Sequence, residues 1–82
     1  MNYRDVGSDQ RLELYVSPTC PYCAEAREYY DACGVEYQVH DAQNDPAARA
    51  RMLAYSDGDP TVPVIVVDGK YVRSGWGDPP RG

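Results

Sequence analysis

Apolar and polar residues alternate in the run Leu12-Glu13-Leu14-Tyr15-Val16. This puts Leu12, Leu14 and Val16 on one face and predicts a strand over residues 11–17. The period changes after Pro21. Cys23, Ala26, Tyr30 and Cys33 recur three and four residues apart, the stripe of a helix reaching about Ala32 and stopped by Gly34. On that stripe Cys33 is expected to be a small buried hydrophobe. Val35, Tyr37 and Val39 then alternate with Glu36, Gln38 and His40, a second strand whose polar face leaves His40 exposed. Asp45-Pro46 supplies a cap and a first-turn proline for a second helix to about Tyr55. After the loop 56–60, Val62 to Val67 is an unbroken apolar run, as in a strand covered on both faces. Asp68-Gly69 is a two-residue hairpin turn, and Lys70 to Arg73 returns. The predicted order is β-α-β-α-β-β, an α/β fold.

Both ends break the pattern. Residues 1–10 are polar and read as a loose lead-in. Ser74 to Gly82 holds three glycines and two prolines in nine residues, which excludes a helix and predicts a non-helical tail.

The 82 residues suffice for one domain, residues 1–82, with a single core. With 43% hydrophobic and 26% charged residues the chain reads as globular. No apolar run approaches the roughly 20 residues of a membrane span, and the start lacks the basic and apolar regions of an export signal. A cytoplasmic location is therefore expected. The net charge of −5 argues against nucleic acid and against anionic membrane surfaces as partners.

Chemistry concentrates where the first period gives way to the second, at Thr19-Cys20-Pro21-Tyr22-Cys23. A cysteine at a helix N-cap faces free backbone N–H groups and the positive end of the dipole, which favour thiolate over thiol. Cys20 holds that position. Cys23, one turn inside, is close enough to close a disulfide with it. The pair reads as a redox dithiol, with Cys20 the exposed nucleophile and Cys23 the shielded resolving thiol. A zinc site completed by Cys33 and His40 is the weaker reading, because structural zinc prefers tight cysteine pairs on turns to a proline-started helix. An inert pair is the third. Thr61-Val62-Pro63 has two readings as well. Pro63 simply opens a strand, or it is a cis-proline that leaves neighbouring backbone N–H and C=O groups free to pair with an extended substrate.

Cys20-Pro21-Tyr22-Cys23, Thr61-Val62-Pro63 and Val67-Asp68-Gly69, in this order and at these distances, closely resemble the glutaredoxin family over about Arg11 to Trp76. The resemblance implies a thioredoxin-like fold with a four-stranded mixed sheet, Pro63 in cis and Cys20 as the nucleophile. It implies thiol-disulfide oxidoreductase and electron-transport activity in cell redox homeostasis, with glutathione as cosubstrate and no tightly bound cofactor or metal. Disulfide-containing proteins are the implied substrates. The implied glutathione groove is lined by Tyr22, Thr61, Val62, Pro63, Ser74 and Gly75. Ser17 stands where many glutaredoxins carry lysine, and the third helix common in the family is missing, so a monomer or weak dimer is expected. Trp76 and the tail to Pro80 are expected to fold over the sheet face which that helix would cover. Two alternatives stay open. One is a redoxin-type donor, for instance to ribonucleotide reductase, reduced by thioredoxin reductase, which Ser74-Gly75-Trp76-Gly77-Asp78-Pro79 resembles in part. The other is an iron–sulfur cluster binding module.

Overall fold

A computed structural model describes residues 3–7 and 9–82. The elements are β1 (Leu12–Val16), α1 (Pro21–Ala32), β2 (Tyr37–Asp41), α2 (Pro46–Ser56), β3 (Val64–Val67) and β4 (Lys70–Ser74), in the predicted order. They build one mixed sheet in the order β2-β1-β3-β4. β1 runs parallel to β2 and antiparallel to β3, and β3 runs antiparallel to β4.

Two strands begin later than the alternation suggests, each for a backbone reason. Val35 is spent closing α1: Gly34 turns the chain at φ +72°, and the Val35 N–H reaches back to the Tyr30 carbonyl at 3.1 Å. At β3, Pro63 has no N–H to give the ladder, so pairing starts at Val64. The hairpin is as expected, with Asp68 and Gly69 at φ +53° and +75°, the left-handed pair that matches the twist of its strands.

Every residue of β3 is buried, and the two faces carry separate cores. On one face Leu12, Leu14, Val16, Ile65 and Val67 meet Cys23, Ala26 and Tyr30 of α1. On the other, Tyr15, Val64 and Val66 meet Ala42, Ala48 and Met52. The first face carries the larger cluster, and residues before β1 and after β4 help to cover it. Trp76, 6% exposed, packs at 5.6 Å from the ring of Tyr30 and 4.9 Å from that of Tyr3. The tail thus covers this face through Trp76, while Pro79 and Pro80 stay exposed.

Four expectations need correction. The lead-in is not loose where it is described, since Tyr3 and Val6 are buried in the same cluster as Trp76; Met1, Asn2 and Ser8 lie outside the described residues. Cys33 is exposed: it forms the C-cap of α1, beyond Cys23, Ala26 and Tyr30, the residues of that stripe which are buried. His40 is not free in solvent. It stacks on Tyr15 at 4.7 Å and bonds Glu13 at 3.2 Å, both from its neighbour strand β1. Val39, expected on the inner face, is 40% exposed, because β2 is an edge strand.

Candidate functional site around Cys20

The strand directions bring distant segments together. Tyr15 lies opposite Val64, and Val64 lies opposite Ser74. The loop leaving β1, the loop entering β3 and the tail leaving β4 therefore meet at one end of the sheet. The loop leaving β2 joins them, the Ala42 N–H donating to the Val16 carbonyl at 2.9 Å. Cys20, Tyr22, Thr61, Val62, Pro63, Ser74 and Gly75 all fall at this end. Cys20, Tyr22 and Val62 flank the same apolar cluster as Trp76.

Cys20 is the N-cap of α1, extended at φ −89° and ψ 117°, with Pro21 as the first helical residue. Its sulfur accepts the Cys23 N–H at 3.4 Å, as a capping oxygen would. The sulfur thus sits at the N-terminal end of α1 with one backbone donor on it. Cys20 is half-buried and Cys23 is only 2% exposed. Burial, aided by the hydrogen bond and charge of Cys20, pushes the Cys23 thiol up to about 12, against a lowering contribution from the backbone at Ser17. Both thiols are free. The geometry separates an accessible sulfur that can attack from a shielded one held protonated beside it.

The supporting loops are tied by residues that the sequence reading did not select. Gln43, on the loop leaving β2, accepts the Thr19 hydroxyl at 3.2 Å and also the Ser17 hydroxyl, fixing the approach to Cys20. The Asp59 carboxylate accepts the Thr61 N–H at 2.9 Å, and hydrogen bonding to Thr61 holds this carboxyl below the usual range. Only the Asp-Pro-Thr turn signal could have marked it in the sequence. The Val62-Pro63 bond is cis, and the Pro63 carbonyl accepts the Gly75 N–H at 2.8 Å. Among the described residues, none hydrogen-bonds to the Val62 N–H or C=O. The Ser74 hydroxyl hydrogen-bonds the Tyr71 hydroxyl at 2.7 Å.

Open clefts flank the Cys20 end on two sides. One, about 290 Å³, is lined by Ser17, Gln43, Arg49, Pro60 and Val62. Arg49, on α2, makes no ion pair among the described residues and is the one cation lining this cleft. The other, also about 290 Å³, lies between Tyr22 and Glu25 of α1 and the tail residues Trp76, Asp78 and Arg81. Cys33, at the far end of α1, joins neither cleft. Among the described residues no three His, Cys, Asp or Glu side chains gather as a metal-binding group.

A capped, half-buried cysteine, a shielded partner thiol one turn on, and a proline loop with unpaired backbone at the same end of the sheet define a thiol-disulfide oxidoreductase of the thioredoxin-like fold. The chain belongs to the glutaredoxin family, whose model, described as Glutaredoxin, matches residues 12–72. It is 34% identical over 61 residues to glutaredoxin 3 of Escherichia coli, covering 74% of this chain and 72% of that one. A probable glutaredoxin of Synechocystis sp. is 32% identical over 62 residues, 76% of this chain and 70% of the relative. The crystal structure of a thioredoxin-like protein superposes with a TM-score of 0.70 at 34% identity, covering 83% of this chain and 90% of the other. A buckwheat glutaredoxin–glutathione complex matches in fold, with a TM-score of 0.67 at 24% identity over 82% of this chain and 63% of that one. The fold and the class of activity expected from the sequence are thereby established.

Proposed function

We propose that the enzyme is glutathione-linked and reduces protein disulfides and glutathione mixed disulfides through Cys20 and Cys23. The observation that carries this reading is that the Cys20 cap and the unpaired backbone of Val62 flank one apolar cluster at the same end of the sheet, a nucleophile sharing that end with an edge where a γ-glutamyl-cysteinyl-glycine backbone can pair.

The Cys20 thiolate attacks one sulfur of the substrate disulfide. A mixed disulfide forms, and the other sulfur departs as a thiolate that takes up a proton. Once Cys20 is in a disulfide, its charge no longer raises the neighbouring thiol, and Cys23 gives up its proton more readily. Cys23 then attacks the Cys20 sulfur, releases the reduced product and closes the internal disulfide. One glutathione opens that disulfide and a second removes the first as glutathione disulfide. Tyr22, Thr61, Val62, Pro63, Ser74 and Gly75 line the groove in this reading. Arg49 takes the part of the absent lysine at position 17, receiving a substrate carboxylate across the cleft it shares with Val62. Such a cycle requires a compartment that keeps thiols reduced, which favours the cytoplasm. No helix among the described residues is long and apolar enough to cross a membrane.

The test is turnover with glutathione and glutathione reductase on a glutathionylated peptide and on a protein disulfide. Cys20→Ser loses both activities. Cys23→Ser keeps the first, because a second glutathione resolves the intermediate, and loses the second. A wild-type enzyme that draws electrons from a flavin-dependent thioredoxin reductase and none from glutathione refutes the glutathione linkage and leaves the dithiol chemistry intact.

A further inference from the structure

The tail does more than cover apolar surface. Beyond Trp76 the chain turns back on itself: the Trp76 N–H donates to the Arg81 carbonyl at 2.7 Å, and the Arg81 N–H returns to Trp76 at 3.0 Å. Arg73 fastens the loop from below, donating to the Gly77 carbonyl at 2.9 Å and pairing with Asp78 at 3.6 Å. Gly75 permits the close fold. A Cβ there would stand 2.9 Å from the Pro80 Cβ and 3.0 Å from the Arg81 nitrogen. The return carries Gly82 onto the loop before β3. A side chain at position 82 would overlap the Val62 carbonyl oxygen and would stand 2.8 Å from the Thr61 methyl carbon and 2.9 Å from the Val62 carbonyl carbon. Only a residue without a side chain fits this seat, and the seat is the backbone edge with which none of the described residues hydrogen-bonds.

We propose that residues 76–82 form an internal strap whose residue 82 occupies the Val62 edge and competes with the extended backbone of a substrate. This rests on the reading that substrates pair with Val62. A disulfide bearing a peptide-like backbone, oxidised glutathione included, must displace residue 82, so its apparent affinity falls by the fraction of time the seat is free. A small disulfide with no peptide backbone reaches Cys20 without using Val62 and is unaffected. The strap is thus a specificity determinant. Trp76, locked in the core, holds its base while residue 82 exchanges with substrate.

The experiment compares the wild-type chain with Gly82→Ala, whose methyl group cannot occupy the seat, and with a chain ending at Arg81. Stopped-flow Trp76 fluorescence gives the rate constant for oxidation of the reduced enzyme by oxidised glutathione and by bis(2-hydroxyethyl) disulfide. Both variants should react several-fold faster than wild type with oxidised glutathione and at the wild-type rate with the hydroxyethyl compound. Their melting temperatures should match wild type, since Gly82 is exposed and outside the core. Unchanged rates with oxidised glutathione, or equal acceleration with both disulfides, overturn the strap while leaving the glutathione reading intact. If neither compound oxidises wild type or variants, the dithiol reading fails and the strap's proposed role falls with it.

Discussion

Trp76→Ala measures how much of this small fold hangs on its tail. Trp76 is 6% exposed, and an indole that size removes roughly 200 Å² of mostly apolar surface from water. At about 25 cal/mol per Å² that is worth about 5 kcal/mol as an upper bound. An alanine at the site recovers a small part of it. The cavity left among Tyr3, Tyr29 and Tyr30 adds to the loss, together with the edge-to-face contacts to Tyr3 and Tyr30. The expected cost is about 3–5 kcal/mol, the usual range for a buried tryptophan. A domain of this length has a total stability of only about 4–12 kcal/mol. Urea unfolding followed by far-UV circular dichroism reads the difference as a lowered midpoint, with Trp76→Phe recovering much of it. A chain cut after Gly75 should lose at least as much, or bury the bared face by dimerising. A loss below about 1 kcal/mol in both Trp76→Ala and the truncated chain refutes the reasoning, because the sheet face would then be closed without the tail.

Iodoacetamide labelling should separate the three thiols. At pH 8, Cys20 and exposed Cys33 are modified and Cys23 is not; burial keeps Cys23 protonated until pH approaches about 12, so its labelling rises only as pH climbs toward that value. Rapid labelling of Cys23 at pH 8 in the folded protein would contradict its assignment as the shielded thiol. Arg49→Glu, which reverses the charge in the cleft beside Val62, should raise KM for glutathione about tenfold with kcat little changed, as expected when a charge-assisted contact made equally in ground and transition states is lost. An unchanged KM would remove Arg49 from the substrate site.

Local periodicity settled the elements of this protein because it reports the distance along the chain at which side chains return to one face. The period of two over Leu12–Val16, the stripe of Cys23, Ala26 and Tyr30, and the left-handed pair Asp68-Gly69 each stand for themselves. Cys20 and Cys23 were legible for the same reason, since capping acts within one helical turn. Tertiary structure decided what depends on residues far apart. Val39 and Cys33 are apolar letters that the alternation and the stripe assign to the interior, yet the edge of the sheet and the end of the helix leave them in solvent. His40 found partners only because β2 lies beside β1. Tyr3 and Val6 were drawn into the core by an uncovered face that no local pattern displays. Gln43, Asp59 and Arg49 came to this end of the sheet because four strand ends converge there, and Gly82 came to rest on Val62 because Trp76 was captured by the core six residues earlier. Burial and strand register act through space rather than along the chain, which is why the sequence names the thiols and the fold supplies their surroundings.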